Sequence, residues 1–186
     1  MAGTMGHDGG RGRSPLRIAF WSIAALLLIA PLVAMRLTDG VRWDRADFIF
    51  AGILIGSIGV AYELAVRMTG NSAYRAGAGF ALAAAFLTVW ANGAVGMIGN
   101  EDNSYNLYFL GVIALALLGS VAVRFQPAGM AAITAVAGAA HAGLAIVGLS
   151  VDLRGGIFSL VFAGLWLLSA ALFRNAARVP GVATVD

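Results

Sequence analysis

The chain has 186 residues, of which 60% are hydrophobic and 11% charged, with a formal charge of +3. A soluble domain of this size carries about 25% charged residues, so a water-exposed globule is excluded. All 12 basic residues are arginine and cysteine is absent, which excludes a lysine Schiff base, thiol–disulfide chemistry, iron–sulfur clusters and Cys-ligated zinc.

Residues 1–16 are rich in Gly and Arg and read as a disordered cytoplasmic tail that holds His7. The apolar run from Ile18 to Leu37 is about 20 residues, too long for the core of a signal peptide, and no A-x-A site closes it. It reads as a retained first span over Arg17–Leu37. Charged residues between Thr38 and Arg45 separate it from a second span, Ala46–Met68. A polar break at Thr69–Arg75 leads to a third, Ala76–Gly99. The amide-rich run Asn100–Asn106 precedes a fourth, Leu107–Arg124. Pro127 suits the first turn of a helix, where its missing N–H would be unpaired anyway, and opens a fifth span, Pro127–Leu149. Asp152 and Arg154 sit in the last break, before a sixth span, Gly156–Ala176. Residues 177–186 form a short cytoplasmic tail. Each block approaches ~20 residues, enough to cross ~30 Å of hydrocarbon. The expected fold is an all-α membrane protein, a compact bundle of six transmembrane helices over residues 17–176. A count of five, with one block re-entrant, is the alternative.

With six spans both termini share one side. If that side is the cytoplasm, it holds Arg11, Arg13, Arg17, Arg67, Arg75, Arg124, Arg174 and Arg178. Arg36, Arg42, Arg45 and Arg154 lie outside. This bias follows the positive-inside rule and predicts N-in, C-in topology in a bacterial inner membrane. Asp39, Asp44, Asp47, Glu101, Asp102 and Asp152 fall on the outer side, where Asp44 and Asp47 can pair with nearby arginines. The basic charge therefore needs no nucleic-acid partner.

In a bilayer, helices associate through closely packed small residues, because lipid tails are as apolar as leucine. The second span carries Gly52, Gly56 and Gly59 on one face, continuing to Glu63 and Arg67. The third carries Ala81, Ala85, Thr88, Asn92, Gly96 and Gly99. The fifth carries Thr134, Gly138, His141, Ala145 and Gly148, opposite Ile133, Val136, Leu144 and Val147. Each stripe holds one residue that is costly against lipid: Glu63, Asn92 or His141. The expectation is that the three stripes face the bundle interior. At 1.5 Å per residue, His141 and Asn92 lie roughly 20–24 Å from the inner end, and Glu63 roughly 6–8 Å from it.

An ionisable group within the membrane points to function, and His141 is the first candidate; its structural alternative is a neutral imidazole bonded to a neighbouring helix. Glu63 stands four residues before Arg67, the spacing of a local ion pair. Asn92 can serve interhelical hydrogen bonding. Glu101 and Asp102 lie among the amides of the outer loop, an all-oxygen set suited to hard cations, although no EF-hand spacing is present. The alternative for that loop is a solvated segment whose Asp, Asn and Ser cap the fourth helix. No metal is specified. A six-coordinate haem usually needs two axial histidines, and the spans hold one, so no cofactor is expected. Nucleophile-elbow, P-loop, H-E-x-x-H and lipid-phosphotransferase motifs are missing, which argues against an enzyme.

The run Trp90-Ala91-Asn92-Gly93-Ala94-Val95-Gly96-Met97-Ile98-Gly99-Asn100-Glu101-Asp102-Asn103 resembles one found in small bacterial multi-pass inner-membrane proteins of uncharacterised activity. It covers fewer than 20 of the 186 residues, and the resemblance implies no reaction. The leading expectation is a small cation or proton transporter or channel-like protein. Its polar pathway would run from Glu101 and Asp102 past Asn92 and His141 to Glu63. The alternative is an accessory or scaffold subunit of a larger membrane complex, and a weaker one is an enzyme acting on a lipid or quinone. Expected partners are the lipid bilayer and a second copy or another membrane protein.

Overall fold

The computed structural model of the chain describes residues 15–38, 40 and 42–178, with side chains from Trp21 onward. The expected tails lie outside the described residues, except that Pro15, Leu16, Ala177 and Arg178 are helical. His7, Arg11, Arg13 and Asp39 also lie outside them. The described residues form six α-helices: α1 (Pro15–Leu37), α2 (Arg45–Met68), α3 (Ser72–Ala94), α4 (Leu107–Ala122), α5 (Pro127–Gly148) and α6 (Leu153–Arg178). A 3-10 turn, Ser104–Asn106, precedes α4. Five segments, α2, α3, α4 with its 3-10 turn, α5 and α6, are long and apolar enough to cross a membrane, and Trp21–Leu37 adds a shorter apolar stretch. The protein is therefore an all-α, multi-pass membrane protein. The helix boundaries fall close to the expected ones, with one exception: α3 stops at Ala94, short of Gly99.

The chain divides into two compact units, Met1–Gly56 and Ser57–Asp186. In the first unit, Asp44 and Asp47 start α2 by reciprocal capping. Asp44 Oδ1 accepts from the backbone N–H groups of Ala46 and Asp47, at 2.7 and 3.0 Å, and Asp47 Oδ2 accepts from Asp44 N at 2.9 Å. These carboxylates were expected to pair with arginines. Here they neutralise the free N–H groups of the first helical turn.

In the second unit, α3 to α6 make an antiparallel bundle. α6 packs on α5 and α3, while α4 packs on α5 and, less closely, on α3. That order sets α3 and α5 on one diagonal. Short connections force the antiparallel order, and small residues let the helices approach. Gly77 sits against the Phe173 ring, and Gly138 against Leu167 and Trp166. Three core layers succeed one another along the bundle. Tyr74, Met130 and Phe173 fill one end, and Ala84, Val112, Ala116, Ala137 and Trp166 the middle. Met97, Ile98, Phe109 and Phe162 fill the other end.

The end that holds Tyr74 is the arginine-rich one. Arg67, Arg75, Arg124, Arg174 and Arg178 all belong to its helix ends and turns. Arg75 closes α2 there, donating from Nε to Thr69 O at 2.8 Å and from its terminal nitrogen to Val66 O at 2.9 Å. A guanidinium at a helix C-terminus satisfies carbonyls that have no helical partner and opposes the negative end of the dipole. Tyr74 ties the α4–α5 turn to α3 through a hydroxyl bond to Phe125 O at 2.8 Å. Arg124 and Phe125 in that turn both hold positive φ, 52° and 56°.

Candidate functional site

The link from α3 to α4 is a folded plug and not a solvated loop. Gly96 and Gly99, with φ of +78° and +77°, turn the chain after α3. Between them Met97 and Ile98 are driven into the bundle, at 2% and 1% exposure. Asn106 holds this reversal from below. Its side-chain oxygen accepts from Met97 N at 3.2 Å and Ile98 N at 2.8 Å, and its amide donates to Asn100 O at 2.7 Å. Buried backbone groups need such partners. Asn103 donates to Ile98 O at 3.0 Å and accepts from Tyr105 N at 3.1 Å, so it caps the 3-10 turn. Asp152, from the loop before α6, accepts from Gly99 N and Gly155 N at 3.0 Å each. The N–H groups of Gly155 and Gly99 hold its carboxyl below the usual carboxylate range.

Asn92 belongs to this plug. Its amide donates to Asn106 O at 2.9 Å. Glu101 and Asp102 stand exposed on the turn that covers the plug. Among the described residues no group of three or more His, Cys, Asp or Glu could hold a metal ion, and two of the loop's amides, Asn103 and Asn106, are committed to backbone partners. The loop is thus chiefly a cap, and its two carboxylates face outward. Glu63, at the arginine-rich end, meets Arg67 at 3.9 Å, the local pair that their spacing suggested.

His141 lies in the bundle interior at 0% exposure. Its ring packs against Phe109 and Phe162, with centroid distances of 4.9 and 6.3 Å. Neither ring nitrogen has a hydrogen-bond partner among the described residues. The rest of the expected α5 stripe, Thr134, Gly138, Ala145 and Gly148, is buried with it. Four other buried polar side chains are satisfied. Thr88, Ser120 and Thr134 donate to carbonyls four residues back, each at 2.7 Å, and Ser169 donates across to Gly77 O at 2.8 Å. Ser159 Oγ and Trp166 Nε1 on α6 are buried without partners, like His141. They lie three residues before and four after Phe162, on the α6 face that packs in the core. The imidazole of α5 and the hydroxyl and indole of one α6 face are thus three buried polar groups without partners among the described residues.

The expected site is therefore brought together only in part. Asn92 and His141 sit on the diagonal pair α3 and α5, but Asn92 is engaged in the plug. Glu63 stands at the opposite end of the bundle from the plug. Ser159 and Trp166 were not among the expected residues. Their common face on α6 also holds Phe162, so polar and aromatic side chains share it at spacings of three and four residues. No protein-family model, curated protein or solved structure matches the chain.

Proposed function

We propose that this membrane protein moves a proton or a small cation across the bilayer, with His141 as the internal exchange group. The observation that carries the reading is the buried imidazole whose two nitrogens have no partner among the described residues, in a core whose hydroxyls are mostly bonded. A buried polar group left unpaired costs about 1–3 kcal/mol, so a role beyond packing is called for. An imidazole can take a proton at one nitrogen and release one from the other. Ser159 and Trp166 add two further buried polar groups on α6. On this reading a cation is drawn to the exposed pair Glu101 and Asp102, passes the Asn92 level and His141, and leaves near Glu63. The setting proposed is a bacterial inner membrane, with the termini in the cytoplasm.

The test is flux in proteoliposomes. Wild-type protein should dissipate an imposed proton or monovalent-cation gradient. His141→Leu should reduce that flux at least tenfold, a barrier higher by ~1.4 kcal/mol, and Glu63→Gln should reduce it less. Unchanged flux in His141→Leu would remove the histidine from the route.

A second reading, an accessory or scaffold subunit, is favoured by the structural engagement of two pathway residues, Asn92 with Asn106 and Glu63 with Arg67. It calls for no flux from the wild-type protein and for a stoichiometric partner after mild solubilisation.

A further inference from the structure

The outer side of the α5–α6 seam, away from His141, opens into a groove of about 670 Å³ at the arginine-rich end. Its walls are alanines, among them Ala128, Ala132 and Ala135 of α5 and Ala171 of α6. Arg174 and Arg178 of α6 complete the lining. These arginines are one helical turn apart and exposed, and neither has a carboxylate partner among the described residues. The groove also meets the first turn of α5. That turn has no acidic residue, and Gln126 makes no side-chain cap bond to it. The first N–H groups of a 22-residue helix thus lie beside the guanidinium pair. Free helix N–H groups and paired guanidinium groups both favour an anion with several oxygens. The alanine walls favour a hydrocarbon chain that approaches the helices closely.

We infer that this groove is a binding site for an anionic phospholipid. The phosphodiester sits between Arg174, Arg178 and the α5 N-terminus, and one acyl chain runs along the alanines. The charge balance selects the headgroup. Two guanidinium groups without an acidic neighbour among the described residues of the groove favour a headgroup with net negative charge over a zwitterionic one, whose ammonium they repel. Basic pockets between helices at the membrane surface are suited to such lipids. The site is independent of the transport reading, because its residues lie on the opposite side of the seam from His141.

The test uses the full chain reconstituted in vesicles of equal parts phosphatidylglycerol and phosphatidylcholine, then released for native mass spectrometry. Retained phosphatidylglycerol in strong excess over phosphatidylcholine is expected. Arg174→Gln/Arg178→Gln should lower that preference about thirtyfold, the effect of two near-surface charges. Ala132→Leu, which fills the groove and keeps both arginines, should lower retention of either lipid. Inorganic phosphate at millimolar concentration should not displace the lipid, since it lacks the chain. Equal retention of the two lipids, an undiminished preference in the double variant, or displacement by inorganic phosphate would each overturn the assignment. So would a lipid-free dimer that shields Ala132→Cys from a thiol reagent. Unaltered helix content in both variants keeps a loss of lipid distinct from a loss of fold.

Discussion

Asp152 and Asn106 do at residue scale what the loop sequence alone does not announce. The run Asn100–Asn106 reads as polar and therefore solvated, yet Asn106 is 2% exposed. Its side chain turns back toward the residues before it because Met97 and Ile98 enter the core and bring their N–H groups with them. Only the closed fold supplies that need, so the sequence marks Asn106 as a cap and not as the centre of a plug. Asp152 has the same character: it bonds Gly99, 53 residues away in the chain. Its pH dependence follows from its bonds. The carboxylate form is the one that Gly155 and Gly99 stabilise, so its pKa in the folded protein is lowered. Its contribution is fully present above the unfolded value, about 3.9. It is lost as the pH falls from there through the lower folded value. Wild-type protein should thus protect the Gly99 amide from exchange better than Asp152→Asn at neutral pH. The difference should vanish in strong acid, below the folded pKa. A gap that persists there would show that the charge of Asp152 is not what holds the plug.

At the scale of elements, α5 was legible and α3 only in part. Every member of the expected α5 stripe is buried, because that face alternates small residues with bulky ones opposite, and the larger Val136 and Val147 are left exposed. α3 offers no such contrast. It is Ala- and Gly-rich nearly all round, so its neighbours choose its inward face. Phe173 seats on Gly77, and the middle core layer that holds Trp166 also takes Ala84. The fully buried face is Gly77, Ala84, Thr88 and Ala91, and of the expected stripe Ala81 and Ala85 pack at its edge, partly buried. The end of α3 was missed for a related reason. Gly96 and Gly99 sit in helical register with Asn92, but both adopt the left-handed conformation that ends a helix. Their replacement separates two effects. At Gly99 an alanine meets only conformational cost, ~1–2 kcal/mol, since its Cβ would approach only the Asn103 amide, at 3.4 Å. At Gly96 the added Cβ also collides with the Asn100 carbonyl and the Asn106 amide. Gly96→Ala should therefore destabilise the protein more than Gly99→Ala in thermal unfolding, by a further ~1–3 kcal/mol. Equal losses would mean that the plug yields easily around Gly96.

For the whole molecule, the arginine bias and the plug make a joint statement about orientation. In the second unit, Arg67, Arg75, Arg124, Arg174 and Arg178 gather at one end, and Arg154 stands at the other beside Glu101, Asp102 and Asp152. The positive-inside rule predicts that the first end faces the cytoplasm and the plug the outside. A chain without cysteine allows this to be checked by single-cysteine labelling. A membrane-impermeant thiol reagent added from outside should modify Thr38→Cys, Glu101→Cys and Ser150→Cys. It should leave Gly70→Cys, Gln126→Cys and Asn175→Cys unmodified until the membrane is opened. Modification of Gln126→Cys from outside would make α4 and α5 a re-entrant pair and not two crossings. For the first segment the discriminating position is Ala2→Cys. Protection there, together with outside labelling at Thr38→Cys, gives six crossings. Outside labelling at both positions leaves α1 on the outer surface and gives five. In that case the side carrying the N-terminal arginines would oppose the rule, and the orientation would rest on the second unit alone.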